Sequence, residues 1–213
     1  MLIIGAKGHA IEILDIIEDY EETELTLYDD INNYESAKLY SKYNIITNLN
    51  EAELYFEKDN RYILGVGGTF LRKKLSDKFN AIGGVLTSAI SITSRIGKHH
   101  TILGDGINVM HNVLISNNVN IGNGALINAS TNIHHDVRIG EFAEIGPRAV
   151  ILGNSSVGKF SFIGSNATIL PSVKIGNNVV IGAGSVVTKD IPDNSLAVGI
   201  PAKIIKPLPP LEA

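Results

Sequence analysis

Aliphatic residues recur at every sixth position through the C-terminal part of the chain. The series runs without interruption from Leu103 to Val187, and Ile90, Ile96 and Ile102 keep the same interval displaced by one residue. This displacement predicts a one-residue insertion. A helix has a period of 3.6 residues and a flat strand a period of 2, so a period of six fits neither. A hexapeptide period is typical of a parallel β-helix.

The residues between the aliphatic positions indicate how each coil closes. Small or β-branched residues stand four positions after each aliphatic residue, and glycine often follows it directly. Each six-residue side then forms one short strand with an inward side chain, and three sides complete a triangular coil. Such coils stack at the inter-strand spacing of about 4.8 Å. We assign residues 83–213 to this domain, with a C-terminal cap after Val187, where Pro192 and Pro201 interrupt the interval.

The first part of the chain alternates between strand-like and helix-like segments. Apolar runs in LIIGA, LTLYDD, RYILGVG and AIGGVL predict four strands. Apolar residues with a helical period predict three helices, with Asn50 and Thr69 as the N-caps of the second and third. The helical segments are residues 8–20, 49–58 and 69–79. Such alternation predicts a small parallel sheet covered by helices, so we assign residues 1–82 to a Rossmann-like α/β domain.

Composition and charge exclude several classes of protein. The 213-residue chain has no cysteine, which excludes disulfides, thiolate metal ligands and a thiol acyl-enzyme. A net charge of −4 argues against general nucleic-acid binding, which depends on Lys and Arg at phosphates. No apolar run is long enough for a signal peptide core or a membrane span. We therefore expect a cytoplasmic protein with no nucleic-acid or membrane partner.

The stretch INASTNIHHDVRIG, residues 127–140, carries candidate chemistry within the repeat. His134, His135 and Asp136 lie together between two aliphatic positions. A neutral imidazole near physiological pH can accept a proton from a nucleophile, and a neighbouring carboxylate can fix its tautomer. Adjacent residues of a regular strand point to opposite faces, so Asp136 can serve His135 only if the backbone turns there. The alternative interpretation is a pair of exposed histidines on a coil corner.

The other histidines do not predict a metal centre. Zinc in a β-helix enzyme of the carbonic anhydrase kind would need three histidines that converge from neighbouring faces. His111 and His135 are 24 residues apart, which places them on different faces, and His99 lies two coils below His135. We therefore expect no metal.

Near the start of the chain, GAKGHA stands between the first predicted strand and the first predicted helix. Glycines at such a junction let a phosphate approach the exposed N–H groups of the helix. The spacing is GxxG and not the GxGxxG of dinucleotide-binding domains, and tight strand–helix turns use glycine in any case. By itself this motif is weak evidence for a phosphate site.

Taken in order, the motifs resemble those of the sugar O- and N-acetyltransferases of the sialic-acid and bacillosamine type, which belong to the hexapeptide acyltransferases. The matching segments are IIGAKGHA, YDD, GVGGTFLRKK, INASTNIHHDVRIG and IGAGSVVTKDIPDNSLAVGIPAKII, which together span nearly the whole chain. The resemblance implies a left-handed β-helix, although ordinary crossovers are right-handed. It also implies acetyl-CoA as co-substrate, a nucleotide sugar as acceptor, and a homotrimer with acetyl-CoA in the cleft between subunits.

The same resemblance assigns roles to individual residues. His135 matches the catalytic histidine of the family, and Asp136 matches its acidic partner. Asn128 and His134 are expected near the acceptor sugar; a ladder or turn role for Asn128 and a solvated side chain for His134 are the alternatives. The glycine-rich turn is expected at the diphosphate and the two aspartates at the base or ribose. The nucleotide-sugar residues implied are Gly5, Ala6, Lys7, Gly8, His9, Asp29, Asp30 and Gly67.

The residues that the resemblance implies for acetyl-CoA are Glu144, Gly153, Gly182, Ala183 and Lys203. Glu144 departs from the bacillosamine-type enzyme, which has a second histidine there near the thioester. Gly153 matches a glycine whose backbone N–H could hold the thioester carbonyl, and a glycine required by a turn is the alternative.

Arg72 and Lys73 follow each other on a predicted helix and are interpreted as solvated charges.

These observations lead us to expect an acetyl-CoA-dependent N-acetyltransferase for surface-glycan biosynthesis. Its acceptor would be the 4-amino group of a UDP- or dTDP-linked 4-amino-4,6-dideoxy sugar, with His135 as general base and direct transfer from the thioester. One alternative is O-acetylation of a sialic acid with the same base. Another is a non-catalytic β-helix protein that binds a nucleotide sugar, which leaves His135 and Asp136 without a role.

Overall fold

The N-terminal domain is built on one sheet with helices on both faces. The computed structural model describes residues 1–20 and 24–211. The elements of this domain are β1 (Leu2–Ile4), α1 (His9–Glu18), β2 (Thr26–Tyr28), β3 (Lys38–Leu39), β4 (Tyr43–Ile46), α2 (Leu49–Phe56), β5 (Arg61–Leu64), α3 (Thr69–Asn80) and β6 (Val85–Leu86). The strand order is β3-β4-β2-β1-β5-β6. Only the β3–β4 pair among these strands is antiparallel.

Side chains of the strands divide between two apolar layers. Ile3 and Ile63 pack with α1 on one face of the sheet. Leu2 and Leu64 pack with α2 and α3 on the other face. Burial on both sides explains why these strands are continuous apolar runs and not alternating ones.

The predicted helices and strands of this domain are present, but both predicted N-caps are wrong. Asn48 precedes α2, and its side chain accepts a hydrogen bond from the backbone N–H of Glu51 at 3.0 Å. Asn50 lies inside the helix. Helix α3 follows Gly68, so Thr69 is its first residue and not its cap. The edge strand β3 and its neighbour β4 were not predicted, because their short segment is rich in polar residues.

The second domain is a parallel β-helix of two-residue strands. These strands are β7 (Ala89–Ile90), β8 (Arg95–Ile96), β9 (Ile102–Leu103), β10 (Asn108–Val109), β11 (Leu114–Ile115), β12 (Asn120–Ile121), β13 (Leu126–Ile127), β14 (Asn132–Ile133), β15 (Arg138–Ile139), β16 (Glu144–Ile145), β17 (Val150–Ile151), β18 (Ser156–Val157), β19 (Phe162–Ile163), β20 (Thr168–Ile169), β21 (Lys174–Ile175), β22 (Val180–Ile181) and β23 (Val186–Val187). The aliphatic residue of the six-residue interval points inward in each coil, and these residues form one buried column. The hexapeptide prediction is therefore confirmed.

Three sheets form the sides of this β-helix, and every third strand belongs to the same side. The first sheet contains β7, β10, β13, β16, β19 and β22. The second sheet contains β8, β11, β14, β17, β20 and β23. The third sheet contains β9, β12, β15, β18 and β21.

Strand pairing locates the predicted insertion. Ile96 pairs with Ile115, 19 residues further on, whereas Leu103 pairs with Ile121, 18 residues further on. The extra residue therefore lies between Ile96 and Leu103. Ile102 fits the displaced interval in sequence, but it points outward and is 59% exposed. Leu103 takes the inward position instead.

From Leu103 to Ile181, a residue with a positive φ angle turns the chain three positions after each inward aliphatic residue. Asn, Ser and Gly occupy most of these positions, as expected for the left-handed region. Phe142 and Phe160 are bulky exceptions, with φ of 52° and 58°. Asp136 occupies the same corner position, with φ of 61°.

The N-terminal domain packs against the first sheet of the β-helix. Ala89, Met110 and Leu126 of the β-helix share a buried cluster with the apolar residues of α1. Strand β6 still pairs with β5 of the N-terminal sheet, and β7 is the first strand of the β-helix. The domain boundary after residue 82 stays a prediction.

A hairpin caps the end of the first sheet. Strand β24 (Ser195–Gly199) runs parallel to β22, and β25 (Ala202–Pro207) returns antiparallel to β24.

Within residues 1–20 and 24–211, the helices are all too short or too polar to cross a membrane.

Candidate active site

His135 and Asp136 form a hydrogen-bonded pair on a corner of the β-helix. The distance between Nδ1 of His135 and Oδ2 of Asp136 is 2.7 Å. The positive φ of Asp136 provides the turn that brings two consecutive side chains together. A carboxylate accepts the hydrogen bond, so Nδ1 carries the proton and Nε2 of the neutral ring has a free lone pair. His135 is 59% exposed, and Nε2 has no hydrogen-bond partner among the described residues.

Gly153 lies directly against the His135 ring, one coil further on. A Cβ atom at Gly153 would be 2.6 Å from Cε1 of His135 and 2.8 Å from Nε2. Its φ angle is not in the left-handed region, so the turn does not require glycine and that alternative is wrong. Glycine is needed because it leaves room for the imidazole. In the part of the chain that the structure describes, the N–H of Gly153 has no acceptor.

The side chains of Asn128 and His134 differ in their hydrogen bonds to the rest of the protein. Nδ2 of Asn128 donates to the carbonyl of Ile145 at 3.1 Å, which is a ladder contact between neighbouring coils. This contact leaves Oδ1 of Asn128 available. His134 is half-buried, and its ring has no hydrogen bond to the described residues.

A cavity of about 180 Å³ opens at the carboxyl ends of β1 and β2. The predicted residues Gly5, Ala6, Lys7, Asp29 and Asp30 all line it. Ligands of open parallel sheets bind at this edge, where the strand order reverses. The structure therefore assembles two segments that are more than 20 residues apart in the sequence.

Both aspartates of this cavity already form hydrogen bonds or ion pairs with other protein groups. Asp29 accepts hydrogen bonds from Tyr34, Asn32 and two backbone N–H groups. Burial alone would raise the pKa of Asp29, but these hydrogen bonds outweigh it and lower the pKa. The Lys78 ammonium lies 2.8 Å from Asp30 and lowers the pKa of that carboxyl group. Both side chains are ionised and shape the loop.

His9 points away from this cavity and towards the β-helix. Its Nδ1 lies 3.1 Å from Oε2 of Glu12, and its Nε2 lies 3.2 Å from Nδ2 of Asn108. Nδ2 of Asn108 also donates to the carbonyl of Leu64 at 2.8 Å, which fixes the orientation of the amide. Nε2 of His9 must therefore accept, and Nδ1 carries the proton. Burial lowers the pKa of His9, although Glu12 acts in the opposite direction.

Glu144 contacts the N-terminal domain of its own chain. Its Oε2 accepts a hydrogen bond from the N–H of Gly68 at 2.7 Å, at the N-terminus of α3. A Cβ atom at Gly67 would lie 3.6 Å from both carboxylate oxygens. Gly67 and Glu144, which were assigned to different substrates, are therefore neighbours.

The interpretation of Arg72 as a solvated charge is wrong. Arg72 is fully buried, and its guanidinium donates to backbone carbonyl groups of both domains. Lys73 agrees with the prediction, because its side chain is 43% exposed and pairs with Asp77. The sequence alone could not show that Arg72 is buried and Lys73 exposed, since helical periodicity does not show which side of the helix a second domain covers.

An apolar groove of about 580 Å³ continues upward from Glu144 along the outside of the first sheet. Phe162 and Val180 occupy the next two coils in register with Glu144. Phe70 of α3 and the C-terminal residues 208–211 line its sides. Gly182 follows Val180 closely, and a Cβ atom there would be 2.7 Å from Val198 of the cap. The roles of Phe70, Phe162 and Val180 were not predicted, because these residues look like ordinary apolar residues in the sequence.

Ala183 and Lys203 are exposed residues near the cap, and neither of them lines this groove. Lys203 lies on β25 and pairs with Val198 of β24. Across residues 1–20 and 24–211, no three His, Cys, Asp or Glu side chains are grouped as metal ligands.

The candidate residues lie on two different sides of the β-helix. His135 and Gly153 are at the corner between the second and third sheets, because each follows a strand of the second and precedes one of the third. Glu144 and the groove lie on the first sheet, opposite that corner. The packed interior separates the two groups within one chain.

Comparison with known proteins matches both domains. The family model described as bacterial transferase hexapeptide (six repeats) matches residues 118–153 and 154–189, and the PglD N-terminal domain model matches residues 1–79. PerB from Caulobacter crescentus, solved with CoA and GDP-perosamine, is 31% identical over 96% of each chain, with a TM-score of 0.86. The acetyltransferase domain of PglB from Neisseria gonorrhoeae is 25% identical over 96% of this chain and 98% of that domain, with a TM-score of 0.85. No curated protein sequence matches the chain.

The fold and the matches define a hexapeptide-repeat acetyltransferase with an α/β N-terminal domain, and its β-helix is left-handed, as the family resemblance implies. The chain belongs to the nucleotide-sugar N-acetyltransferases of the hexapeptide superfamily. The predicted enzyme class and co-substrate are those of this family.

Proposed function

We propose that the protein transfers the acetyl group of acetyl-CoA to the 4-amino group of a nucleotide-linked 4-amino-4,6-dideoxy sugar, with His135 as general base. The observation that carries this proposal is the pair formed by His135 and Asp136, whose hydrogen bond of 2.7 Å leaves Nε2 free. The His135 ring lies against Gly153, whose N–H has no acceptor among the described residues. A proton acceptor and a backbone donor on one corner are the two groups that acyl transfer to an amine requires.

The transfer proceeds in two steps without an acyl-enzyme. The lone pair of the neutral amine attacks the thioester carbonyl carbon, and the amine proton passes to Nε2 of His135. Asp136 stabilises the imidazolium that forms. The N–H of Gly153 donates to the oxyanion of the tetrahedral intermediate. When the carbon–sulfur bond breaks, the CoA sulfur takes the proton from the imidazolium, which regenerates the neutral ring.

The N-terminal domain, residues 1–82, is the proposed nucleotide-sugar domain. Gly5, Ala6 and Lys7 would hold the diphosphate at the cavity, and the ionised loop around Asp29 and Asp30 would contact the base or ribose. The relative from Caulobacter crescentus was solved with GDP-perosamine. GDP therefore joins UDP and dTDP as a candidate nucleotide.

Acetyl-CoA is proposed to lie along the apolar groove of the first sheet. Phe162 and Val180 would contact the pantetheine arm, which is largely apolar, and Lys203 at the cap could meet phosphate groups. Glu144 would lie at the thioester end, beside the turn at Gly67. Gly182 and Ala183 would allow a close approach near the cap.

A complete active site requires a second copy of the chain. His135 and Gly153 lie opposite the first sheet, so the groove and cavity of one subunit can reach the corner of a neighbouring subunit only. The second sheet, which borders that corner, offers a face for packing with the outward residues Leu114, Asn132, Val150, Thr168 and Val186. A homotrimer is the proposed assembly, since closed cyclic symmetry gives every subunit the same contact.

The acceptor is tested by measuring CoA release from acetyl-CoA with UDP-, dTDP- and GDP-linked 4-amino-4,6-dideoxy sugars offered separately. Turnover with one nucleotide, reduced about 100- to 10,000-fold in His135→Ala, is expected of a general base. His99→Ala is the matched control, because His99 is an exposed histidine two coils below on the same corner. Turnover with a free or CMP-linked sialic acid, and with none of the amino sugars, would contradict the proposal.

The shared active site is tested by mixing two inactive chains. His135→Ala lacks the base, and Lys7→Glu places a negative charge at the proposed diphosphate position on an exposed side chain that lines the cavity. Co-expressed mixed oligomers are expected to recover activity, because some sites combine an intact corner with an intact cavity. Lys7→Glu must first match the wild type in size and melting temperature. Mixed oligomers as inactive as either parent would place the whole site in one chain.

A further inference from the structure

Arg72 and Asn108 come from different domains, and both are fully buried. Nη1 of Arg72 donates to the carbonyl groups of Leu64 at 3.1 Å and Val66 at 2.9 Å, and Nε donates to the carbonyl of Gly124 in the β-helix at 3.1 Å. Nδ2 of Asn108, on β10, donates to the same Leu64 carbonyl at 2.8 Å. The carbonyl of Leu64 therefore receives one hydrogen bond from each domain.

One polar atom of each side chain is buried without a partner. In the part of the chain that the structure describes, these atoms are Nη2 of Arg72 and Oδ1 of Asn108. Burial also lowers the pKa of Arg72 to about 10, with the Glu144 carboxylate acting in the opposite direction. Apolar residues of similar volume often stabilise a core as well as a buried charged network does. Burial of these two unpartnered polar atoms costs free energy of folding. We therefore interpret Arg72 and Asn108 as residues that fix the geometry of the domain contact and not as residues that stabilise the fold.

The segment that Arg72 and Asn108 hold, residues 64–68, lies between the two proposed binding regions. Val66 lines the cavity of the N-terminal domain. Gly68 donates to Glu144 of the β-helix, and Phe70, two residues further on, lines the apolar groove. A shift of this segment would therefore move the cavity relative to the groove.

We infer that Arg72 and Asn108 are positioning residues, which fix residues 64–68 on the β-helix and so hold the nucleotide-sugar pocket in register with the acetyl-CoA groove. The inference rests on the proposed function. Neither side chain touches a substrate, since both are covered by protein. Their loss leaves each substrate able to bind but misplaces the amine relative to the thioester.

The test uses Asn108→Asp and Arg72→Met. Asn108→Asp keeps the shape of the side chain but removes both Nδ2 donations. Arg72→Met keeps an unbranched stem without donors, and Asn108→Asp remains informative if Arg72→Met does not fold. Matched controls are Asn120→Asp, an exposed asparagine on the third sheet, and Lys73→Met, the exposed neighbour of Arg72.

Both test variants are expected to reduce kcat about 10- to 100-fold, as for a displacement of roughly 1 Å between reacting groups. The KM for acetyl-CoA and the Kd of the free nucleotide are expected to stay within about threefold, because each site is intact. Amide hydrogen exchange of residues 65–68 is expected to become at least about tenfold faster, since opening of the segment becomes easier. The controls should match the wild type in all three measurements.

Unchanged kcat and exchange rates in a folded Asn108→Asp variant would overturn the inference. A loss of activity that affects substrate binding and kcat alike, and that disappears on cooling, would also overturn the inference. Such a loss would indicate a purely structural role. Wild-type protein that turns over no nucleotide amino sugar would instead contradict the proposed function. In that case the exchange rates of residues 65–68 still decide whether Arg72 and Asn108 hold the segment.

Discussion

Nδ1 of His135 lies 2.7 Å from Oδ2 of Asp136, although the two residues are consecutive in the chain. Consecutive side chains of a strand point apart, so this contact depends on the left-handed corner at Asp136, with φ of 61°. From Leu103 to Ile181, the repeat places such a corner after every strand. The pair of His135 and Asp136 therefore fits the frame without distorting the ladder.

Asp136→Asn is expected to reduce kcat about 100- to 10,000-fold, because the neutral amide neither fixes the His135 tautomer nor stabilises the imidazolium. Asparagine tolerates the left-handed region, so the fold should be retained. Steady-state kinetics with both substrates checks this, with Asp105→Asn as the control for an exposed aspartate elsewhere. A kcat within threefold of the wild type would remove Asp136 from the mechanism.

Gly153→Ala is expected to reduce kcat about 10- to 100-fold, because the new Cβ atom displaces the His135 ring from its position. The backbone N–H remains, so the change isolates the position of the ring from the oxyanion contact. The melting temperature should hardly change, since His135 is 59% exposed and can rotate into solvent. If the melting temperature and kcat fall together, Gly153 has a structural role instead.

Protonation of His9 is expected to weaken the contact between the domains. Its pKa is lowered by burial, with Glu12 and Glu144 opposing this and Arg72 adding to it. The unfolded chain therefore binds the proton more readily, and stability is full above the unfolded value of about 6.5 and falls as the pH drops below it.

Urea unfolding at pH 7.5 and 5.5 measures this effect of His9. His9→Gln keeps an acceptor for Asn108 but does not titrate, so it should lose less free energy of unfolding between the two pH values than the wild type. Equal losses in both proteins would mean that other groups cause the pH dependence.

Phe162→Ala is expected to raise the KM for acetyl-CoA about 5- to 150-fold, because the pantetheine arm loses an apolar contact of roughly 1–3 kcal/mol. The Kd of the free nucleotide should not change. Ile102→Ala is the control, since Ile102 is an exposed aliphatic residue on the third sheet. An unchanged KM for acetyl-CoA would place the coenzyme elsewhere.

Local pattern predicted most elements of both domains. The six-residue interval determined the coil, and even the one-residue insertion before Leu103 could be read from it, because every inward position of a stacked coil has the same requirement. Helix bounds in the N-terminal domain followed from periodicity, but the caps did not. Asn48 and Asn50 are equally good caps by residue type, and only the path of the chain out of β4 selects Asn48.

Candidate residues were predicted where a motif is compact, as in the pair His135 and Asp136. Contacts between domains were not predicted. Arg72 has the sequence context of a solvated arginine, and His9 that of a residue beside a phosphate, yet both face the β-helix. The residues adjacent to them in the sequence do not indicate which surface of the N-terminal domain the β-helix covers.

The sequence by itself therefore determined the coil, its inward column and the corner that carries His135, because each depends on side chains within one or two coils. Only the tertiary structure decided the burial of Arg72, the room that Gly153 leaves for the imidazole, and the separation of Glu144 from His135. Those relationships depend on how distant segments pack, and packing is decided by shape and burial across the whole chain and not by the residues adjacent in sequence.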